Sequence, residues 1–547
     1  MTENGQTLIG NTQSLIDELD AWAAEQGTPA VEPKKSFTIS VKKTKKAEKP
    51  TLLQSMKNFD KWVEKTEHLD AKSHQRDGVQ WCIDNELRPN PVQGIRGGLV
   101  ADEMGLGKTY TMIGTIVANP MKRTIVVLPL ALLGQWHRHI LKTTSLKTVV
   151  YHGPDRYLIS HSDLISAKVV LTTYDVVAGG GTALHKINWS RAMFDEAHNL
   201  RNAETARYYG SRSITAKIRW LITGTPIQNR IDDFYALCYM MGMKSKYYTQ
   251  PENLEEIANN FILKRTKEEV GLELPKKCEQ TIVLPWKNRE ERRIAEDLHA
   301  SLTFTGANLN GRSINKAVSR ISNYALPRML RARQTCVVPQ LIRNAVGKAD
   351  PQCEMDDDER LFSAAMGSSS KIDGVMKVLI DRKDNNRSKL VFCHFRGEID
   401  MICKRCREAG MEVANFDGRT PKDERERLLQ SSCEVLVLQI QTGCEGLNLQ
   451  QFKEVYFVSP SWNPAVEDQA VARSHRIGQT EQVDVFRFVM EGFDSKAITL
   501  DSHIHNIQNI KRQEANLLDK ICKKKIKTLQ IPPEMIKKSI VAALEEP

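Results

Sequence analysis

Short runs of apolar, often β-branched residues alternate with amphipathic stretches in two long regions of the chain. In the first region, about residues 69–286, the runs occupy 98–101, 124–128, 149–151, 169–171, 192–194 and 220–222. In the second, about residues 370–492, they occupy 390–392, 413–416, 435–438, 455–458 and 483–486. This alternation indicates βαβ units, which form parallel sheets covered on both faces. The pattern predicts two similar α/β halves.

Helical spacing or low hydrophobicity marks the other segments. Leu8, Leu15, Ile16, Leu19 and Trp22 recur at helical spacing, and apolar residues at 52, 53, 56, 59, 62 and 63 predict a second amphipathic helix. Prolines and lysines dominate 27–50, which is typical of a disordered linker. We therefore divide the chain into an amphipathic helix (1–26), a basic linker (27–50), a first α/β half (51–286), a helical insertion (287–367), a second α/β half (368–492) and a helical extension (493–547).

Composition and charge set the class of protein. The 547 residues, 41% hydrophobic and 27% charged, suffice for more than one domain with its own core. A net charge of +11 suits a polyanionic partner. The lysines of the linker are compatible with a nuclear import signal, a nonspecific DNA tether or a solvated linker. No signal peptide or long apolar span is present, so we expect a soluble, intracellular protein with no membrane partner.

The 11 cysteines are scattered and lack the dense, regular spacing of a disulfide scaffold, which favours a reducing compartment. Cys403 and Cys406 have the spacing of a zinc-binding pair, but no second pair is near them. Together with Ile399 they are better explained as the apolar face of a helix.

The segment 102–109 reads Asp-Glu-Met-Gly-Leu-Gly-Lys-Thr between a predicted strand and a predicted helix. Gly105 and Gly107 let backbone N–H groups approach phosphate oxygens, Lys108 adds a positive charge, and the Thr109 hydroxyl can bind Mg²⁺. Asp102 stands where the full phosphate-loop pattern has glycine. From this segment alone, a nucleotide site and an ordinary strand-to-helix turn are both open.

Two adjacent carboxylates follow the predicted strand at 192–194. Asp195 and Glu196 lie in the run Asp-Glu-Ala-His and would reach the carboxyl edge of the sheet, where ligands of such folds bind. Asp195 can hold Mg²⁺, and Glu196 can orient and deprotonate a water that attacks a γ-phosphate. The position of this pair after a phosphate loop favours nucleotide hydrolysis.

Residues 102–109, 195–198 and 221–229 resemble motifs I, II and III of the SWI/SNF-type ATPases of helicase superfamily 2. The family's loop usually begins with aspartate, so Asp102 is expected there. Residues 74–81 resemble the Q motif, with alanine at position 71 in place of an expected leucine. The resemblance implies that ATP is held by Gln75, which would contact adenine, and by loop residues Met104, Gly105, Leu106, Gly107, Lys108 and Thr109.

The second half resembles the remaining motifs of the family. Residues 389–395, 443–449 and 469–479 resemble motifs IV, V and VI. In motif VI, Arg473 and Arg476 would act as arginine fingers, and Gln469 would contact the nucleotide. Residues three apart on a helix share one face, so both arginines can point at the cleft. Motif V has Gly443-Cys444 where the family has two glycines, which would affect the close backbone approach there. We expect the change to be tolerated, because Gly446, Asn448 and Leu449 are kept.

The resemblance covers about residues 69–492 and implies a complete architecture. We expect two tandem RecA-like parallel-sheet lobes with a helical insertion between them and helical N- and C-terminal extensions. ATP, bound together with Mg²⁺, would be hydrolysed when the cleft closes, with catalysis by Lys108, Glu196, Arg473 and Arg476. The resemblance places nucleic-acid contacts at Thr172, Thr173, Arg201, Asn202, Gly418, Thr420, Thr442 and Trp462.

The expected function is a DNA-dependent ATPase that translocates on double-stranded DNA and remodels or displaces bound proteins. Its partners would be double-stranded DNA or nucleoprotein, including nucleosomes or transcription machinery, in the nucleus or, for a viral chain, in a virus factory or virion. Residues 330–339 resemble the branch that contains post-replication repair and transcription-termination translocases. A strand-separating DNA or RNA helicase, a polymerase-associated motor and a non-hydrolysing ATP-binding scaffold remain as alternatives.

Overall fold

Two parallel β-sheets, each covered by helices, make up the computed structural model. It describes residues 50–67, 69–228, 231–300, 302, 325–342, 369–421, 424, 427–428, 433–443, 449–494 and 497–522. All of these belong to one compact unit. The predicted N-terminal helix, most of the basic linker, and residues 444–448 of the motif V segment lie outside the described residues.

The first sheet has seven strands in the order β3-β4-β2-β5-β6-β1-β7, and every pairing is parallel. The strands are β1 (Gly97–Val100), β2 (Thr124–Leu128), β3 (Thr148–Val150), β4 (Val169–Thr173), β5 (Trp189–Asp195), β6 (Ala216–Ile222) and β7 (Ile262–Leu263).

The second sheet has six strands in the order β10-β11-β9-β12-β13-β8, again all parallel. They are β8 (Lys277–Leu284), β9 (Lys389–Cys393), β10 (Val413–Phe416), β11 (Val435–Gln439), β12 (Glu454–Phe457) and β13 (Val483–Met490). The predicted fold of two parallel-sheet lobes is confirmed, because each apolar run identified in the sequence forms a strand.

Helices fill the connections between the strands. Those of the first lobe are α1 (Leu52–Lys65), α2 (Ser73–Leu87), α3 (Lys108–Ala118), α4 (Leu130–Thr143), α5 (His161–Ser166), α6 (Tyr174–Ala178), α7 (Ala206–Arg212), α8 (Ile231–Met241), α9 (Ser245–Tyr248) and α10 (Leu254–Phe261). The later ones are α11 (Arg289–His299), α12 (Ala325–Val337), α13 (Ser370–Asp381), α14 (Arg396–Glu408), α15 (Ile440–Gly443), α16 (Pro464–Ser474) and α17 (Leu500–Cys522). None of the described helices is long and apolar enough to span a membrane.

Alternate residues of the central strands enter separate cores on the two faces of each sheet. In β2, Ile125 and Val127 belong to one apolar cluster, whereas Val126 and Leu128 belong to another. Successive side chains of a strand point to opposite faces, so a strand that is apolar throughout must be covered on both. The apolar runs in the sequence are uninterrupted because both faces of each central strand are buried.

Cys403 and Cys406 lie on α14 and are buried in the core of the second lobe together with Ile399. Within the described residues no cluster of histidine, cysteine or acidic side chains suits a metal ion. The burial of both cysteines beside Ile399 confirms that the pair forms part of the apolar face of a helix.

Strand β8 lies in the second sheet, although the sequence analysis assigned residues 277–284 to the first half. It pairs with β13 along its whole length, from Lys277 opposite Val483 to Leu284 opposite Met490. Most of its side chains are exposed or half-buried. Its apolar run is confined to its last three residues, Ile282, Val283 and Leu284, and its backbone pairing with β13 places it in the second sheet.

Candidate active site

The phosphate loop connects β1 to α3 at the carboxyl edge of the first sheet. Gly105 (φ 96°) and Gly107 (φ 82°) have left-handed backbone conformations that favour glycine. A Cβ atom on Gly107 would lie 2.3 Å from Nε2 of Gln75. The loop therefore requires glycine for both conformation and close packing, and it presents the N-terminus of α3 to an anion.

Lys108 begins α3 and turns back over the loop. Its Nζ donates a hydrogen bond to Asp102 O at 2.8 Å. A Cβ atom added to Gly224 of motif III would lie 3.3 Å from this Nζ, so motif III is close to the lysine. Burial lowers the pKa of Lys108, against the opposing charges of Glu196, Asp102 and Asp195. A half-buried cation near carboxylates at a helix N-terminus suits the charge of a triphosphate. Thr109 follows it as a half-buried residue in the first turn.

Asp102 holds the start of the loop through an ion pair with Arg265. Arg265 Nε lies 3.0 Å and its second terminal nitrogen 2.6 Å from the two carboxylate oxygens of Asp102. A third nitrogen of the guanidinium donates to His74 O at 2.6 Å. Aspartate at this position thus joins the loop to α2 and to the end of the first lobe, which accounts for its departure from glycine.

Gln75 of α2 and Gly224 of motif III both pack against the phosphate loop. The Gln75 amide donates to Leu106 O at 3.2 Å and accepts from Lys72 N at 3.2 Å. Met104 Cγ would lie 2.7 Å from a Cβ on Gly224, so motif III packs directly on the loop. The contact of Gln75 with adenine stays a prediction, because its amide is here bonded to the loop.

Asp195 and Glu196 are brought to the same place by the end of β5. Asp195 accepts hydrogen bonds from Trp136 Nε1 at 2.7 Å and from Glu196 N at 2.9 Å. Glu196 has φ 48° and ψ 51°, a left-handed conformation that is rare for a residue with a side chain. The structure thus turns the chain sharply between the two carboxylates.

The two carboxyl groups have opposite pKa shifts. Burial and the charge of Glu196 raise the pKa of Asp195. Burial would also raise the pKa of Glu196, but His198, whose Nδ1 lies 3.2 Å from Glu196 Oε2, and the charges of Lys108 and Arg473 lower it. Glu196 is therefore ionised near neutral pH, as a general base requires. The buried carboxylate of Asp195 and the Thr109 hydroxyl are oxygen donors of the kind that Mg²⁺ prefers.

The second lobe contributes Arg473 and Arg476. Helix α16 ends at Ser474, and its C-cap residue His475 has non-helical angles (φ −94°, ψ 78°). The predicted shared helical face is therefore wrong, because Arg476 lies beyond the helix. Arg476 still reaches the cleft, since its Cβ would lie 3.4 Å from a Cβ on Gly105. The charge of Arg473 lowers the pKa of Lys108 and of Glu196. Gln469 is buried on α16.

A polar contact also joins motif III to the start of α16. Asn463 Nδ2 donates to Gln228 Oε1 at 2.7 Å, and its own Oδ1 caps α16 by accepting from Ala465 N at 3.0 Å. Arg201 donates to the same oxygen of Gln228. One side chain of the first lobe thus contacts the cap of the helix that carries Arg473.

Comparisons with known proteins agree with this geometry. Residues 74–250 match the profile of the SNF2-related domain, and residues 370–478 match that of the helicase conserved C-terminal domain, which together cover just over half of the chain. The chain belongs to the SWI/SNF-type ATPases. This SWI/SNF-type chain is therefore a nucleotide-binding ATP hydrolase.

Similar proteins occur in viruses and cells. The "Probable global transactivator" of Orgyia pseudotsugata multicapsid polyhedrosis virus is 27% identical over 77% of this chain and 87% of its own length. The "ISWI chromatin-remodeling complex ATPase ISW2" of Saccharomyces cerevisiae is 27% identical over 77% of this chain but only 39% of its own. The solved "Sulfolobus solfataricus SWI2/SNF2 ATPase core in complex with dsDNA" is 25% identical, with 83% of this chain and 93% of that chain covered and a TM-score of 0.36.

In this SWI/SNF-type ATPase, two predicted nucleic-acid residues are buried. Thr172 is inaccessible and its hydroxyl donates to Tyr151 O at 2.9 Å, while Thr173 Oγ1 lies 3.1 Å from His152 Nδ1. The prediction of contacts through these two side chains is therefore not met, because both hydroxyls are bonded within the lobe. Asn202 is exposed, and Arg201 is half-buried against Gln228.

The predicted contacts on the second lobe lie on loops and at helix ends. Gly418 is exposed, and the Thr420 hydroxyl accepts from Asp417 N at 3.2 Å. Trp462 is half-buried against α17, where Lys511 Nζ donates to Trp462 O at 3.0 Å. Thr442 belongs to α15, but its side chain is outside the described part of the chain. The nucleic-acid role of these residues stays a prediction.

Trp136 contacts the candidate site, and the sequence analysis did not identify it. It lies on α4 as a buried residue among apolar neighbours, so its pattern is that of a core side chain. Its indole N–H bond to Asp195 is visible only in three dimensions. Three further residues, Arg265, Lys267 and Gln228, were assigned no individual role from the sequence, because their partners are distant in sequence.

Replacing Trp136 with phenylalanine should weaken Mg²⁺-dependent hydrolysis. The variant keeps an aromatic ring but removes the donor that orients Asp195, and loss of such an outer partner typically costs about 10- to 100-fold in metal affinity or activity. Titrating MgCl₂ at fixed ATP should show a higher half-maximal concentration than in the wild type. An unchanged titration would remove Trp136 from this role, and Trp189→Phe, in the core of the same lobe, is the matched control.

Proposed function

We propose that this chain is a DNA-dependent ATPase that translocates on double-stranded DNA and thereby remodels or displaces bound proteins. The observation that carries the proposal is the composite site, in which Arg476 of the second lobe lies against Gly105 of the phosphate loop and the charge of Arg473 acts on Lys108. Hydrolysis then requires a particular arrangement of the two lobes. A site divided in this way couples each turnover to relative movement of its halves.

Each residue of the site has a distinct task in this mechanism. The loop N–H groups and Lys108 bind the phosphates, and Glu196 orients the attacking water and accepts its proton. Arg473 and Arg476 neutralise charge on the transferring phosphoryl group, a task that suits a cation that stays protonated. Thr109 and Asp195 would hold Mg²⁺, which would supply further positive charge to the triphosphate.

The hydrogen bonds of Gln228 support coupling between the ATP site and nucleic acid. Gln228 contacts Arg201, a predicted DNA residue of the first lobe, and Asn463, which follows the predicted DNA residue Trp462 of the second. DNA bound to both lobes could therefore change the position of Asn463, which caps α16, the helix that carries Arg473. Contacts to the phosphate backbone carry no sequence information, so binding should be nonspecific and sensitive to salt.

The known relatives support a proposal for the biological setting. They include a chromatin-remodelling ATPase, a "DNA repair protein RAD5B" of Arabidopsis thaliana and a viral transactivator, which supports a remodelling, repair or transcription role. The chain spans half or less of the length of the cellular relatives, so their partners are proposals for it. An "Uncharacterized ATP-dependent helicase" of Mycoplasma pneumoniae keeps strand separation as the second candidate.

An ATPase assay with four nucleic-acid substrates tests the proposal. We expect the full chain to be stimulated most by double-stranded DNA or nucleosomes, less by single-stranded DNA and least by RNA. The logarithm of the apparent affinity for DNA should fall linearly with the logarithm of salt concentration. Glu196→Gln protein purified in the same way measures contaminating ATPase. Stimulation by RNA alone, or no stimulation at low salt, would overturn the DNA-dependent part of the proposal.

A further inference from the structure

The segment that joins the two lobes, residues 264–276, also lines the ATP cleft. We call it the connecting segment. It leaves the first sheet at β7 and enters the second at β8. Its Arg265 holds Asp102 at the start of the phosphate loop. The residue two positions further on, Lys267, contacts both lobes.

Lys267 lies between the phosphate loop and the arginine motif. Its backbone N donates to Glu103 Oε2 at 2.8 Å, and its Nζ lies 3.2 Å from Glu103 Oε1. The same Nζ donates to His475 O of the second lobe at 3.3 Å. Its Cε would lie 3.4 Å from a Cβ on Gly105, and its side chain is only 13% exposed. A nearly buried ammonium group is thus shared by the two sides of the cleft.

His475 is held by the connecting segment at a second point. Its Nε2 donates to Pro275 O at 2.8 Å, so its ring and its carbonyl are bound by opposite ends of the segment. His475 lies between Arg473 and Arg476, just after α16 ends. Contacts that hold His475 in place therefore also set the backbone positions of Arg473 and Arg476.

We propose that Lys267 is a positioning residue for ATP hydrolysis, which sets the distance of Arg473 and Arg476 from the phosphate loop by bridging Glu103 and the His475 carbonyl. The inference rests on the proposed roles of the two arginines. Lys267 acts through them and touches no reacting atom in this account. Small displacements of catalytic groups are costly, and about 100-fold in rate is the scale for a shift of about 1 Å.

Lys267→Met keeps the length of the side chain and removes its charge and donors. We expect kcat for ATP to fall about 10- to 100-fold, while the affinity for ATP, measured by fluorescence with a labelled ATP analogue, changes less than the kcat. Lys267→Arg, which keeps charge and donors, should recover part of kcat. Glu103→Gln should lower kcat as well. The double variant Glu103→Gln with Lys267→Met should have about the same kcat as Lys267→Met alone, because both changes break the same ion pair.

Lys276→Met is the matched control, since Lys276 belongs to the same segment but is exposed. Unchanged kcat in Lys267→Met, or a lower melting temperature with unchanged kcat, would overturn the inference in favour of a structural role. A raised KM with unchanged kcat would overturn it in favour of simple ATP binding. If Lys267→Met does not fold, full activity of Glu103→Gln overturns the inference instead. Because kcat is measured without DNA as well as with it, absence of DNA stimulation would count against the proposed function alone.

Discussion

Glu196→Gln should abolish ATP hydrolysis and leave ATP binding largely intact. Glutamine preserves the size of the side chain but cannot accept the proton of the attacking water. General-base catalysis by a positioned side chain is worth about 10²- to 10⁴-fold, so kcat should fall by that range. The lowered pKa of Glu196 means that the wild-type base is available throughout the neutral range. Steady-state phosphate release and equilibrium binding of a labelled ATP analogue measure the two quantities separately.

The matched control for this carboxylate is Glu255→Gln, an exposed position on α10 of the same lobe, which should keep wild-type kcat. Lys108→Ala should also abolish hydrolysis, but with a loss of ATP affinity, because Lys108 binds the ground-state phosphates. Substantial turnover in Glu196→Gln would remove this residue from the role of base. The site would then need another acceptor for the proton.

Arg473→Ala and Arg476→Ala should each lower kcat by about 10³-fold or more, the scale reported for arginine fingers in phosphoryl transfer. Both guanidinium groups come from the second lobe, so their removal leaves the phosphate loop unaltered and ATP affinity should change little. Arg473→Lys should recover little activity, because a lysine ammonium lacks the planar, forked donors of arginine. Single-turnover measurements with saturating protein report the chemical step directly.

Arg407→Ala, at an exposed position on α14 of the same lobe, controls for a general loss of positive charge. It should retain wild-type turnover. If the alanine variants of Arg473 and Arg476 bound ATP weakly but hydrolysed bound ATP at the normal rate, the arginines would be ligands of the ground state. The division of labour between the two lobes would then be wrong.

The fold could be predicted from sequence because parallel sheets are covered on both faces. Ile125 to Leu128 illustrate this: each residue is apolar because each meets a core, and the run therefore stands out in the sequence. Strand β8 shows the limit of the argument. Its side chains are mostly exposed or half-buried at an edge, and its pairing with β13 is what assigns it to the second sheet.

The candidate site was predictable where function depends on contiguous residues. Gly105, Gly107, Lys108, Asp195 and Glu196 were identified from local spacing, and the structure brings the loop and the carboxylates together. The connections between them were not predictable. Asp102 with Arg265, and Asp195 with Trp136, are pairs separated by 163 and 59 residues. The end of α16 before Arg476 likewise depends on His475, whose ring is held by Pro275.

The central claim is that ATP hydrolysis in the two-lobed site drives movement along double-stranded DNA. Displacement of a short third strand from a DNA triplex by the full chain measures this movement without requiring the duplex strands to separate. We predict that the wild type releases the third strand only when ATP is present and that Glu196→Gln does not release it. Failure of the wild type to release it under conditions where it hydrolyses ATP and unwinds a forked duplex would contradict the claim.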